Sequence, residues 1–180
     1  MSVYFTSDLH FGHKNIHKFR HFVNNQLHNE QFICNAWQNK VTKRDDVYVL
    51  GDAAFTMEAI EVFKDLPGRK YLIRGNHDMC DAAAYLKVFA EVYGLFKYKE
   101  FWLSHAPIHP YELRDKVNLH GHVHYQTITR NVEDRGDWST VTDTRYFNCC
   151  VESLMATFLN PLVELDQLRK HIAERSNNRL

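Results

Sequence analysis

A surplus of charge is the first thing this chain of 180 residues lacks: 22 lysines and arginines offset 22 aspartates and glutamates, leaving a formal net charge of zero. A balanced chain sets up no global field that would collect polyanions, so nothing in its charge signals nucleic acid or an anionic membrane as partner. Nowhere do about 18 apolar residues run together, and the opening MSVYFTSDLH has no basic segment leading into an apolar one. Neither a membrane span nor a secretion signal is expected. The four cysteines, Cys34, Cys80, Cys149 and Cys150, form no CxxC pair, and the last two are neighbours in sequence. Adjacent cysteines have the wrong geometry to bridge one another, so all four are expected as free thiols in a cytoplasmic setting. There is no internal repeat, low-complexity tract or linker, so residues 1–180 read as one domain, long enough to bury a continuous core.

What the chain has in excess is histidine, with twelve residues. Imidazole is the commonest metal ligand near neutral pH, so this surplus fits a metalloprotein. The remaining composition, 44% hydrophobic and 24% charged, is that of a folded globular protein and excludes a disordered one.

Short β-branched and aromatic runs at 3–6, 47–50 and 71–73 read as buried strands, each leading into a polar loop. Apolar positions at helical spacing mark 13–22, 29–41 and 57–66, the last closed by Pro67 and Gly68. Asp81 is placed to cap a helix that reaches about residue 89. Residues 92–98 and 101–103 read as a hairpin, 117–119 as another strand, 145–151 and 155–159 as two more, and 162–173 as a terminal helix. The polar stretch 126–144 reads as a long loop beside the site. Strands alternating with helices early and clustering late point to two packed sheets with helices outside.

Five short pieces follow these strands: DLHFGH at 8–13, GD at 51–52, GNHD at 75–78, SHAP at 104–107 and GHVH at 121–124. They bring two carboxylates, a carboxamide and four imidazoles, with a further His-Asp pair, to the strand ends, where open sheets place their ligands. That set suffices for two adjacent metal ions and a catalytic histidine. In order and spacing the pieces resemble those of the calcineurin-like metallophosphoesterases, over roughly residues 7–168. The later segments RYFNCCVES and NPLVELDQL resemble the last strand and final helix of small bacterial and phage members.

The resemblance implies an α/β fold, a four-layer αββα sandwich of two mixed β-sheets flanked by helices. It implies one metal ion held by Asp8, His10, Asp52 and His124, and a second held by Asp52, Asn76, His105 and His122, with Asp52 as the bridge. Mixed carboxylate, imidazole and carboxamide ligation suits two divalent transition-metal ions, with Mn first and Fe, Zn, Ni or Co as alternatives, better than Ca or Mg. Two such ions about 3.5–4 Å apart generate a bridging hydroxide that attacks the phosphorus of a mono- or diester. His77 is implied as the stabiliser of developing charge and the general acid, with Asp78 orienting it through its other ring nitrogen. One departure is visible. Many relatives continue the second motif as GDxxD or GDxVDRG, whereas here it runs GDAAF, with Phe55, which disfavours the protein-phosphatase branch.

Other residues carry weaker signals. His13, His17 and His21 fall on one helical face, read as solvated apart from His13, which joins Asn76 as a candidate for substrate binding. In the polar stretch, Arg130, Arg135 and Trp138 offer an arginine fork and an aromatic plate for a phosphate and a base, against ordinary surface placement. His120 reads as a satisfied strand-end residue and His109 as a loop residue at the cleft rim. The expected activity is hydrolysis of a small phosphodiester or a nucleotide, with a small phosphate ester as partner and the oligomeric state left open. The alternatives are a metal-dependent nuclease, a hydrolase of a non-phosphate bond, and a non-catalytic protein-interaction scaffold.

Overall fold

The computed structural model describes residues 1–177; the last three residues of the chain lie outside the described residues. In chain order, β1 (Val3–Thr6) leads through a 3₁₀ turn (Ile16–Lys18) to α1 (Gln26–Lys40) and β2 (Asp46–Val49). Next come α2 (Met57–Glu61), β3 (Arg69–Ile73), α3 (Ala82–Tyr85) and β4 (Glu91–Tyr93). Then follow β5 (Leu95–Tyr98), β6 (Phe101–Ser104), β7 (Val117–His120), β8 (Thr129–Asp134), β9 (Asp137–Thr142) and β10 (Tyr146–Asn148). The chain closes with α4 (Val151–Phe158), β11 (Val163–Glu164) and α5 (Leu165–Asn177).

All the strands but β8 and β9, which pair only with each other, form two mixed sheets. One has the order β11-β1-β2-β3-β4, parallel except where β11 runs antiparallel to β1. The other has the order β10-β7-β6-β5, parallel except for the β5–β6 pair. Alternation along the strands explains how the sheets pack. In β1 and β2, Tyr4, Val47 and Val49 face α1 and α2, meeting Ile33, Trp37, Ile60 and Phe63. Phe5, Tyr48 and, just beyond β2, Leu50 point the other way, into a layer shared with Phe101, Leu103, Leu119 and Phe147 of the second sheet. With both faces buried, a strand such as β2 reads as a continuous apolar run rather than an alternating one. Stacked rings fill the layer between the sheets: Tyr48 lies 4.7 Å from Tyr71 and 5.9 Å from Phe96. The outer face of the second sheet is covered by residues 106–116, through hydrogen bonds from Trp102 to the Leu113 carbonyl and from Tyr146 to the Ile108 carbonyl.

The expected α/β sandwich of two mixed sheets is present, with five α-helices among the described residues. Local readings departed from it in several places. The helix expected from Asp81 to about residue 89 ends at Tyr85, with no cap hydrogen bond from the Asp81 side chain. Residues 92–98 split into β4 and β5, which lie in different sheets. Residues 13–22 form only the 3₁₀ turn, because the chain doubles back to carry Arg20 beneath the Asp8 loop. Of residues 155–159, the first four continue α4 and Leu159 caps it in the left-handed region, so no strand forms; Val151, Leu154, Met155 and Phe158 fall at helical spacing. The stretch 126–144 is not a loop but mostly the hairpin β8–β9, whose turn is made by Arg135 and Gly136, both at positive φ (52° and 90°). The helix expected over 29–41 starts earlier, at Gln26, capped by the Asn25 side chain on the His28 N–H. Among the described residues, no helix is long and apolar enough to cross a membrane.

Leu119, fully buried between the sheets, tests this packing. Leu119→Ala is expected to lower unfolding free energy by about 2–5 kcal/mol; chemical denaturation with an unchanged m-value measures it.

Candidate metal centre

Every one of the five pieces stands where a parallel strand ends. Ser7 and Asp8 follow β1, Gly51 and Asp52 follow β2, Gly75 to Asp78 follow β3, His105 follows β6, and Gly121 to His124 follow β7. The backbone there is unusual. Asp8, His10, Asp52, His122 and His124 all have left-handed φ values, of 58°, 53°, 51°, 70° and 50°. Residues with a Cβ avoid that region, and holding one there costs about 1–3 kcal/mol. The loops also approach too closely for any residue but glycine at points such as Gly121 and Gly75. A Cβ at Gly121 would collide with Ser7 and the Asp8 carboxylate, and one at Gly75 with Asp52.

Asp8 is fully buried, and its two oxygens have different surroundings. Oδ2 accepts from the Ser7 hydroxyl at 2.6 Å, the His122 N–H at 3.0 Å and the Cys150 thiol at 3.1 Å. Oδ1 has no hydrogen-bond partner, and neither ring nitrogen of buried His10 has one. His10 Nε2 lies 3.6 Å and His124 Nε2 3.8 Å from that free oxygen. Burial alone would raise the Asp8 pKa, but the His10 ring, His105 and the Ser7 hydroxyl outweigh it and hold the carboxyl well below its usual range.

Across the cleft, His105 Nδ1 sits 2.9 Å from the Leu50 carbonyl, so that nitrogen carries the proton and Nε2 presents a lone pair. That lone pair faces Asn76 Oδ1 at 2.8 Å and Asp52 Oδ1 at 3.4 Å. His122 Nδ1 lies 2.9 Å from the same Asn76 oxygen. His105 Nε2, Asn76 Oδ1 and Asp52 Oδ1 are acceptors crowded together, an arrangement that repels unless a cation stands among them. Asp8, His10 and His124, and likewise Asp8, Asp52 and His105, bring ligand atoms within 4.8 Å of one another. The donor set and its orphaned buried atoms fit divalent metal ions.

Behind His124 lies a buried network that the motifs did not reveal. His124 Nδ1 is 3.3 Å from Glu152 Oε1, which leaves Nε2 to face Asp8. Fully buried Arg20 meets the same Glu152 oxygen at 2.7 Å and donates to Asn29 Oδ1 at 2.6 Å and the Asp8 carbonyl at 2.7 Å. Burial would push the Glu152 carboxyl up, but His124 and Arg20 more than offset it and hold it low. The Glu152 hydrogen bond in turn raises His124. Arg20 and Glu152 are 132 positions apart in sequence; the local hint was confined to Glu152, a carboxylate inside the apolar stretch CCVESLM.

His77 is exposed at the rim, its ring stacked on Phe55 at 5.0 Å and 20° and set 6.0 Å from His10. Phe55, the departure in the second motif, thus backs the candidate acid. The expected contact from Asp78 to His77 is corrected. Both Asp78 oxygens are taken by backbone N–H groups of Asp52, Ala53 and Gly75 at 2.8–2.9 Å, so this buried carboxylate locks the Asp52 and Asn76 loops together. Burial, with the Asp52 charge nearby, raises its pKa.

His13 is half-buried, edge-on to Phe55 at 4.7 Å, and lines the pocket beside His10, His77 and His124. Arg130 and Arg135 are not in that lining. Arg130 borders another cleft with His109, Asp143 and Arg145, and Arg135 stands in the β8–β9 turn, because the expected loop is a hairpin. Buried His120 is satisfied by the Gly121 carbonyl at 2.9 Å, and burial lowers its pKa to about 4.

Carboxylates, imidazoles and a carboxamide gathered at the strand ends of two facing mixed sheets define a candidate metal centre in an α/β sandwich. The chain belongs to the calcineurin-like phosphoesterase family, whose model matches residues 1–154. It is 33% identical over 172 residues to the Gene 66 protein of Mycobacterium phage L5, covering 74% of this chain and 83% of that protein. It is 37% identical over 131 residues to the uncharacterized protein MJ1445 of Methanocaldococcus jannaschii, covering 68% and 69%. In fold it is similar to the crystal structure of the protein of unknown function AQ665 from Aquifex aeolicus, with a TM-score of 0.69, 24% identity, and coverage of 94% of this chain and 98% of that one.

Glu152→Gln tests the network behind His124. The substitution is expected to weaken Mn²⁺ binding by about 10–100-fold, read by calorimetric titration of the stripped protein. An unchanged affinity would show that Glu152 does not hold the His124 ring.

Proposed function

We propose that this protein is a binuclear metal-dependent phosphoesterase acting on small phosphodiesters or nucleotides. The observation that carries the reading is the convergence of partnerless or mutually facing lone pairs from Asp8, His10, Asp52, Asn76 and His105 at the strand ends. One ion would be held by Asp8, His10, Asp52 and His124, the other by Asp52, Asn76, His105 and His122. When bound, the pair supplies Lewis acidity, neutralising phosphate oxygens and acidifying a water.

The chain's own groups do the rest. Left-handed turns aim the carboxylate and imidazole atoms inward before any ion arrives, so little reorganisation accompanies binding. The His77 N–H donates to Asp52 Oδ1 at 2.8 Å, tying the loop of the acid to the bridging carboxylate. The His77 ring, steadied by Phe55, delivers a proton to the leaving oxygen. Asp78 keeps the two loops in register rather than acting on the proton.

Charge favours the diester. No lysine or arginine lines the pocket beside His10 and His124, and Arg20 is engaged with Glu152, Asn29 and the Asp8 carbonyl. A monoester dianion brings an extra negative charge that calls for such a cation; a diester monoanion does not. The four free cysteines suit a cytoplasmic setting.

Two substitutions separate the roles. Asp52→Asn is expected to lose bound metal and turnover together. His77→Ala is expected to keep its metal while turnover falls by about 10²–10⁴-fold. Metal analysis alongside turnover reads both, and metal loss in the His77 variant would make that residue a ligand or a support. For the wild-type protein reloaded with Mn²⁺, a chromogenic diester is expected to turn over faster than the monoester sharing its leaving group. The reverse order would overturn the diester assignment.

A further inference from the structure

Beside His10 and His124 opens a cavity of about 380 Å³, within the range of roughly 300–1,000 Å³ typical of small-molecule sites. Its far wall is apolar and aromatic, built from Ile16, Phe19, Phe55 and Tyr125. Two of these rings face water: Phe19 is 60% and Tyr125 57% exposed. Large aromatic side chains left in water next to a reactive centre are surfaces ready for a ligand. The remaining rings form a continuous series. His13 meets Phe19 at 5.9 Å and Phe55 at 4.7 Å, and Phe55 stacks on His77 at 5.0 Å. The aromatic wall therefore starts at the candidate general acid and runs outward from it.

That adjacency decides which part of a substrate the cavity takes. A proton donor stands at the leaving oxygen, so the group attached to that oxygen lies against whatever flanks the donor. Here the flank is Phe55, with Phe19 and Tyr125 beyond it, and no lysine, arginine, aspartate or glutamate among the lining residues. Flat rings prefer flat partners, through offset or edge-to-face stacking, and such contacts accept many ring types without hydrogen-bond readout. We propose that this cavity seats the leaving group and selects phosphate esters whose leaving group carries a flat aromatic ring, a phenol or a nucleobase-bearing alcohol. The inference rests on the phosphoesterase reading above and adds the chemical class of the group expelled.

The test uses full-length protein loaded with Mn²⁺ and two paired measurements. The monomethyl esters of benzylphosphonate and ethylphosphonate, monoanions that place a methylene where the leaving oxygen would be, are compared by calorimetric binding. Methyl phenyl phosphate and methyl hexafluoroisopropyl phosphate, whose leaving groups are close in acidity, are compared in kcat/KM. The aromatic member is expected to be favoured at least about tenfold in both. Phe19→Ala and Tyr125→Ala are each expected to lower the preference, and the double variant to bring it within about twofold. Both side chains are more than half exposed, and circular dichroism checks that the variants fold. Turnover of both diesters without ring preference, or a preference that survives the double variant, overturns this inference and leaves the phosphoesterase reading standing. Failure of every phosphate ester and phosphonate overturns both.

Discussion

The rest of the structure depends on one buried oxygen. Asp8 Oδ2 receives the Ser7 hydroxyl from its own strand end, the His122 N–H from the end of β7 and the Cys150 thiol from the end of β10. β1 belongs to one sheet, β7 and β10 to the other. A single carboxylate oxygen therefore pins the two sheets at the edge where their loops meet, while its twin remains free to face the ligands. Gly121 is tied to this arrangement, since any larger residue would strike Ser7 and Asp8. Apolar packing of Phe5, Tyr48, Phe101 and Leu119 sets the distance between the layers; the Asp8 contacts align their ends.

Supports of a different kind stand behind the other ligands. His105 is oriented by a main-chain carbonyl, whereas His124 depends on Glu152 and, through it, on Arg20. The latter is a fully desolvated pair, and such pairs are maintained only with good geometry and further hydrogen bonds. Arg20 meets that requirement through Asn29 and the carbonyls of Asp8 and Leu9. The 3₁₀ turn and the chain reversal after it position Arg20, which gives that irregular segment a structural reason.

The sequence made some of this legible and concealed the rest. Runs such as 47–50 declare themselves because a strand buried on both faces has nowhere to place polar residues. The strand-end motifs declare themselves because metal chemistry restricts ligands to a few residue types. The hairpin β8–β9 stayed hidden because it packs into neither hydrophobic cluster: with mostly exposed side chains, its residues carry no apolar alternation to read. The second half of α4 misled for the opposite reason, since a short apolar stretch suits strand and helix alike. Arg20, Asn29 and Glu152 could not be grouped from sequence, because tertiary folding alone brings them together. Asp78 was mistaken for a partner of His77 because adjacency in sequence says nothing about where a side chain turns, and here it turns to the backbone of its neighbours.

The left-handed backbone at Asp8, His10, Asp52, His122 and His124 also bears on how such a chain drifts over evolutionary time. At each of these positions glycine would relieve the backbone strain, so wherever the side chain holds nothing else together, loss of a ligand carries a built-in thermodynamic reward. A lineage released from catalysis would slide downhill toward a sturdier, inert version of the same sandwich. Asp8 is the exception among the five, because its carboxylate is also the clasp between the sheets and losing it would loosen the fold.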